Sequence, residues 1–168
     1  MTATSRKAVK PKKTDYHIVP AGVGDIPAMT ALLGQLFRLE SDFMPDSLKQ
    51  QEGLRLLLQS PTACAWVART PEQVVGMVTL QTVVSTAEGG AAGALEDLIV
   101  APAFRRNGIG RALVNTVLDF ARANGIRRIQ LLADVHNVGA IIFYRAMDWK
   151  QTNLVALRRL TAPAVFPE

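Results

Sequence analysis

Between Leu95 and Arg111 the chain reads Leu-Glu-Asp-Leu-Ile-Val-Ala-Pro-Ala-Phe-Arg-Arg-Asn-Gly-Ile-Gly-Arg. An apolar run with strand character leads into a short basic turn holding Gly108 and Gly110, and an amphipathic helix follows. The first N–H groups of a helix have no partner within it, and glycines let a ligand approach them closely. Such a turn is a seat for a pyrophosphate, and Arg105, Arg106 and Arg111 surround it with positive charge. The stretch therefore suits a phosphorylated cofactor. Two other phosphate-binding turns do not fit. The dinucleotide fingerprint follows the first strand of its fold and has a third glycine where this chain has Leu113. The nucleoside-triphosphate loop, Gly-x-x-x-x-Gly-Lys-Ser/Thr, does not occur in the chain. A purely structural strand-to-helix connection would not call for three arginines around its glycines.

The elements that must position this turn can be read from hydrophobic spacing. Residues 16–21 alternate weakly, as a short first strand does. Asp25 is placed to cap a helix whose Met29, Leu32, Leu33, Leu36 and Phe37 share one face. Pro45 and Asp46 open a second helix with Leu48, Leu54, Leu57 and Leu58, closed by Ser60-Pro61. Residues 63–69 and 74–84 read as strands joined at Thr70-Pro71-Glu72-Gln73, residues 85–93 as a glycine- and alanine-rich loop, and 94–100 as the next strand. Leu113, Val114, Val117, Leu118 and Ala121 mark one face of a helix over 108–124, with Gly125 as its stop. A short strand over 129–133, a helix over 138–147 and strand-like residues over 149–158 complete the order β-α-α-β-β-β-α-β-α-β. This is an α/β chain with a mixed, mostly antiparallel central sheet and helices on both faces.

At 168 residues the chain is long enough for one domain with a real core, and 49% of its residues are apolar. The single Cys64 excludes an internal disulfide and any cysteine-rich zinc site. In the apolar context of residues 63–67 it reads as a small core residue rather than a nucleophile. No apolar run approaches the roughly 20 residues of a membrane span, and the basic start lacks a secretory apolar segment. A cytoplasmic protein without membrane partners is the expectation. Of the +5 net charge, five positive charges lie in the first thirteen residues, Arg6, Lys7, Lys10, Lys12 and Lys13. Without interleaved aromatics they read as a disordered leader (1–13) rather than a nucleic-acid arm. The domain is expected over 14–160, with a short tail at 161–168. No metal site is expected.

The string Arg105-Arg-Asn-Gly108-Ile-Gly110 resembles the acyl-coenzyme A turn of the GCN5-related N-acetyltransferases (GNAT), Gln/Arg-x-x-Gly-x-Gly/Ala. A second block, Asn137-Val-Gly-Ala140-Ile-Ile-Phe143-Tyr144-Arg-Ala-Met-Asp148-Trp149, is similar to that family's Asn-x-x-Ala-x-x-Phe-Tyr followed by Gly-Phe. A helix and a short strand separate the blocks, as in the family, and the element order agrees over about 15–158. Two departures stand out: Asp148 replaces a glycine in a turn expected to need left-handed backbone, and Asn107 replaces a frequent glycine. Both residue types tolerate that conformation better than most.

The resemblance implies acetyl transfer from acetyl-coenzyme A to an amine, in a ternary complex without a covalent enzyme intermediate. The amine must then lose a proton, since an ammonium near pKa 10 is not a nucleophile. Glu96 is the candidate base, directly or through water, or else an anchor for a substrate cation. Strand alternation would put Glu96 on one face with Leu98 and Val100 and turn Asp97 the other way. Tyr144 matches the family tyrosine that protonates the departing sulfur, and Asn137 would hold the pantetheine arm along Leu98, Ile99 and Val100. Backbone N–H near Ile99 or Val100 would polarise the thioester carbonyl. Arg105, Arg106, Asn107, Gly108, Ile109, Gly110 and Arg111 form the implied phosphate seat. His136 reads as a loop histidine, and His17 has no matching constellation. In the family one wall of the acceptor site is the connection of the first two helices. Here it carries Phe37, Glu40, Asp42, Phe43 and Asp46, which suits a small cationic amine. The alternative for the wall is an ordinary solvated helix end with Asp46 as its cap. Protein N-termini or lysines as acceptors, and a non-catalytic acyl-coenzyme A sensor, are the other functions in view. A homodimer is an open expectation.

Overall fold

In a computed structural model of the protein the described residues are 14–40 and 42–161. The basic leader 1–13, Ser41 and residues 162–168 lie outside them. One compact unit ends at Leu131 and a second begins at Leu132. The first holds a sheet of β1 (His17–Pro20), β2 (Ala63–Arg69), β3 (Val74–Ser85), β4 (Gly90–Val100) and β5 (Arg128–Gln130). It also holds the helices α1 (Ile26–Leu36), α2 (Ser47–Gln59) and α3 (Ile109–Ala123). Strand order is β1-β2-β3-β4-β5. The first three pairings are antiparallel, whereas β4 and β5, joined through α3, are parallel. This is the mixed sheet the sequence led us to expect.

Each face of the sheet is closed by helices whose stripe of apolar residues matches it. Ala65, Val67, Met77 and Ile99 pack with Met29, Leu32 and Leu33 of α1 and Leu54 of α2. On the other face Trp66 meets Phe120 of α3 edge-on, with ring centroids 5.1 Å apart. There a Cβ at Gly76 would stand 3.3 Å from Leu113 and 3.4 Å from Ile109, so the missing side chain lets α3 lie close on β3. Ile109, Leu113, Val114, Val117 and Ala121 are all buried, and burial stabilises each larger side chain by about 1.5–3 kcal/mol. This packing holds the start of α3, and the turn before it, against the sheet.

Local signals account for most ends. Asp46 caps α2, accepting from the N–H groups of Leu48 and Lys49 at 3.2 Å each. Asp25 acts differently from the expectation. A 3-10 turn at Val23–Asp25 precedes α1, and the Asp25 carboxylate accepts from the Gly22 N–H at 2.9 Å and pairs with Arg69 instead of capping α1. The loop expected at 85–93 is shorter, because β4 begins at Gly90 and pairs Ala91, Ala92 and Gly93 with Val84, Val83 and Thr82. Small residues with little strand propensity are held there by their neighbours. A Cβ on Gly93 would come within 2.7 Å of the Leu80 side chain.

The second unit contains α4 (Val138–Arg145), capped by the Asn137 side chain, which accepts from the Ala140 N–H at 3.0 Å. Beyond it Asp148 has φ 64°, the left-handed turn expected at that position. The strand expected over 149–158 does not form. These residues form no regular secondary structure, and Leu154, Val155 and Leu157 are exposed. Branched apolar residues favour a strand only where a partner edge receives them.

Candidate active site

β4 pairs with β5 only from Ala92↔Arg128 to Ala94↔Gln130, although β4 itself runs on to Val100. Over its last six residues the strand therefore has no β5 neighbour on that side. Leu98, Ile99 and Val100 lie in this stretch, then Ala101 and the 3-10 turn Pro102–Phe104 lead to the glycines. Arg105 ties the turn back to the strand, its Nε donating to the Val100 carbonyl at 2.9 Å. The Asn107 side-chain amide donates to the carbonyls of Phe104 and Arg105 at 3.2 Å each. Left-handed backbone falls at Arg106 (φ 65°) and Gly108 (φ 81°), on either side of Asn107 rather than at it. Gly108 is the N-cap of α3 and has no side chain to bond the helix. The N-cap side chain therefore offers the first N–H groups of α3 no oxygen, unlike the Asp46 carboxylate at the start of α2. That is the arrangement a pyrophosphate needs.

At Glu96 the structure overturns the face assignment. Register runs Met77↔Ile99 but Thr79↔Glu96, so two residues of β4, Asp97 and Leu98, stand opposite the single Val78. This is a β-bulge, and Asp97 occupies it with φ 53°. The extra residue breaks the period of two. Glu96 shares the face of Met77, Thr79 and Ile99, while Val100, paired with Gly76, belongs to the α3 face. Asp97 does not point away from Glu96 either: its Oδ2 accepts from the Thr79 hydroxyl at 2.9 Å. Glu96 accepts from Gln81 Nε2 at 2.7 Å. Thr79 and Gln81 alternate on one face of β3, so both carboxylates are drawn to that face.

Their surroundings differ. Glu96 is exposed, whereas Thr79 is fully buried and the Asp97 carboxylate bonded to it is largely withdrawn from water. Burial pushes the Asp97 carboxyl up to about 6, with the Thr79 hydrogen bond working against the rise and the Glu96 charge adding to it. Sequence reasoning did not single out Asp97. The one signal available was that aspartate tolerates left-handed backbone, and no pattern in the strand announces the bulge. Burial also pushes the Cys64 thiol up, away from the reactive thiolate.

The acidic segment after α1 is described except for Ser41. Phe37 and Phe43 lie together, ring centroids 5.2 Å apart and tilted by 30°, with Phe43 partly exposed. Glu40 is half-buried and Asp42 exposed. Asp46 takes the structural role left open for it, as the cap of α2. In the second unit Tyr144 lies between two aromatic neighbours, 5.2 Å from Phe143 and 5.7 Å from Trp149, both edge-on. Asn137 and Tyr144 are seven residues apart, two turns along α4. His136 is exposed on the loop before it. Among the described residues no group of three His, Cys, Asp or Glu side chains could hold a metal. No helix there is long and apolar enough to cross a membrane.

The sequence pattern of the acetyltransferase (GNAT) family matches residues 33–149. The chain belongs to the GNAT family. The match takes in the acidic segment, the bulge, the glycine turn and Tyr144. N-acetyltransferase family 8 member 3 of Mus musculus is 34% identical over 98 residues, which are 58% of this chain and 43% of that protein. The GNAT chain thus spans less than half the length of this curated relative. Among solved structures, a possible acetyltransferase from Clostridium difficile 630 superposes with a TM-score of 0.78 at 17% identity, over 88% of this chain and 98% of that one. A predicted acetyltransferase with acetyl-CoA from Clostridium acetobutylicum gives 0.72 at 16% identity, over 86% and 96%. At those identities the likeness establishes the GNAT fold.

Proposed function

We propose that the chain is an acetyl-coenzyme A-dependent N-acetyltransferase acting on a small cationic amine. One observation carries the cosubstrate: β4 outruns β5 and ends in a glycine turn whose N-cap, Gly108, brings no side chain to the start of α3. The stretch of β4 that lacks a β5 partner offers backbone groups to an amide-bearing arm, and the turn offers N–H groups and arginines to a pyrophosphate. Acetyl-coenzyme A supplies the activated acetyl group as a thioester. Glu96, exposed and steadied by Gln81, meets the acceptor ammonium. Tyr144, whose phenol hydroxyl is a hydrogen-bond donor, gives a proton or hydrogen bond to the departing sulfur. The Asn137 carbonyl oxygen is engaged as the α4 cap, so the amide nitrogen is the atom it would present to the pantetheine arm.

For the acceptor, the support is the segment with Phe37, Glu40, Asp42 and Phe43. Its paired rings and carboxylates suit an ammonium better than an anion. Purified protein should release free thiol from acetyl-coenzyme A with polyamines, amino sugars or basic amino-acid derivatives. Gly110→Glu should abolish acetyl-coenzyme A binding by calorimetry while the circular dichroism spectrum stays native. Glu40→Gln or Asp42→Asn should raise the acceptor KM, more at low salt, without changing that of acetyl-coenzyme A. Anionic amines as the best acceptors would sink the cationic reading. Thiol release only with peptides would favour protein N-termini or lysines instead.

A further inference from the structure

On the sheet face that receives α1 and α2, the cross-strand rows run from apolar to polar. Val67, Met77 and Ile99 form one row, Ala65, Thr79 and Glu96 the next, and Ala63, Gln81 and Ala94 the one after. Met77 and Thr79 are fully buried, whereas Glu96 and Gln81 are exposed. Gln81 is flanked on both neighbouring strands by alanine, so no long side chain shares its row. It leans diagonally to Glu96, a separation that long side chains span, and its Nε2 donates to Glu96 Oε2 at 2.7 Å. A carboxylate only accepts, so the amide turns its nitrogen to Glu96 and its carbonyl oxygen away. Asp97 is engaged elsewhere, accepting from the Thr79 hydroxyl at 2.9 Å. The exposed end of this face thus carries one carboxylate with one neutral amide tied to it.

We propose that Gln81 is a specificity-determining residue of the acceptor site. Bonded to one oxygen of Glu96, it leaves the other to a single ammonium and offers its own carbonyl oxygen to a neutral O–H or N–H donor on the same molecule. The acceptor class this describes is an amine with one positive charge and a hydroxyl or amide close by, in preference to a diamine. The proposal rests on the acetyl-transfer reading above and on Glu96 meeting the acceptor ammonium.

Charge sets the preference. An ammonium on a carboxylate makes a charge-assisted hydrogen bond, roughly twice as strong as a neutral one, and Glu96 supplies one such partner. A second ammonium on the same molecule would face the neutral amide of Gln81. It would give up water for an uncharged acceptor and stand close to a like charge, so its desolvation would go largely uncompensated. A hydroxyl in that place exchanges one neutral hydrogen bond for another and loses little. The bond from Gln81 also holds the Glu96 side chain in one arrangement before the acceptor arrives. Ordering such a side chain on binding costs about 0.5–1.5 kcal/mol, and the amide removes part of that cost in advance. Both effects act on acceptor binding and neither touches acetyl-coenzyme A.

The test measures thiol release from acetyl-coenzyme A by the full chain with propylamine, aminopropanol and diaminopropane, which differ only in the group at the far end. Wild type should favour aminopropanol. Ratios of kcat/KM are then compared between variant and wild type, so differences in amine basicity cancel. Gln81→Leu should lower the aminopropanol-to-propylamine ratio about 5-fold, the scale of one neutral hydrogen bond. It should also raise the KM of both amines while that of acetyl-coenzyme A stays the same. Gln81→Glu sets a second carboxylate beside Glu96 and should raise the diaminopropane-to-aminopropanol ratio about 10-fold or more. A residue with a merely structural role would not give that gain for the diamine, and circular dichroism checks that both variants keep the fold. A ratio unchanged in either variant, or a wild type that favours diaminopropane, would overturn the proposal and leave acetyl transfer standing. Wild-type protein that releases no thiol with any amine would overturn acetyl transfer itself, and the proposal with it.

Discussion

Replacing Asp97 by asparagine should make the fold less sensitive to pH, and the size of the effect follows from the bulge. Asparagine tolerates left-handed backbone as aspartate does, and its carbonyl can still accept from Thr79, so the local geometry should survive. The substitution removes a charge that burial disfavours. The Asp97 carboxyl lies at about 6 in the folded chain and near 3.9 when unfolded. Between those values the folded chain binds more protons than the unfolded one, so stability falls as pH rises through the window from about 4 to 6. At about 1.4 kcal/mol per unit, a rise of about two units amounts to ~3 kcal/mol lost by neutral pH. An asparagine at this position cannot titrate, so the loss should be absent from the variant. Urea unfolding of both proteins from pH 4 to 7.5 measures it. The stability of Asp97→Asn relative to wild type should grow by about 3 kcal/mol over that range and then level off. For a chain of this size that corresponds to about 6–12 °C in Tm. Any fixed penalty for the amide N–H groups would offset the whole curve without changing the difference between its ends. A difference that stays flat with pH would show that Asp97 is an ordinary solvated carboxylate.

Tyr144→Phe keeps the aromatic contacts with Phe143 and Trp149 and removes only the hydroxyl. We expect kcat to fall about 100-fold with cofactor affinity little changed, a split readable by steady-state kinetics and calorimetry. Gly108→Ala forces a Cβ onto a residue at φ 81°, and should lower stability by ~1–2 kcal/mol and weaken acetyl-coenzyme A binding by calorimetry. Leu113→Ala empties a fully buried position between α3 and Gly76. It should lower the unfolding free energy by ~2–5 kcal/mol in urea.

Much of this protein is local and was therefore legible in its residues. The apolar stripe of α3, the cap at Asp46, the left-handed turn at Asp148 and the glycines at the start of α3 each depend on a few neighbouring side chains and on backbone sterics. Such preferences operate wherever the chain goes, so the glycine turn that opens α3 could be read without a structure. The bulge at Asp97 could not. A strand's alternation assigns faces only while its register is unbroken, and register is set by pairing with β3, a neighbour more than a dozen residues away in the chain. Once Met77↔Ile99 gives way to Thr79↔Glu96, Glu96 leaves the face of Val100 and Asp97 turns to the buried Thr79 hydroxyl. The same dependence on a partner explains why Gly90–Gly93 became strand and residues 149–158 did not. Residue types and spacing determined which chemical groups this chain carries, and its helices and turns; tertiary pairing decided which carboxylate is buried beside which donor, because desolvation and register arise only between segments distant in sequence.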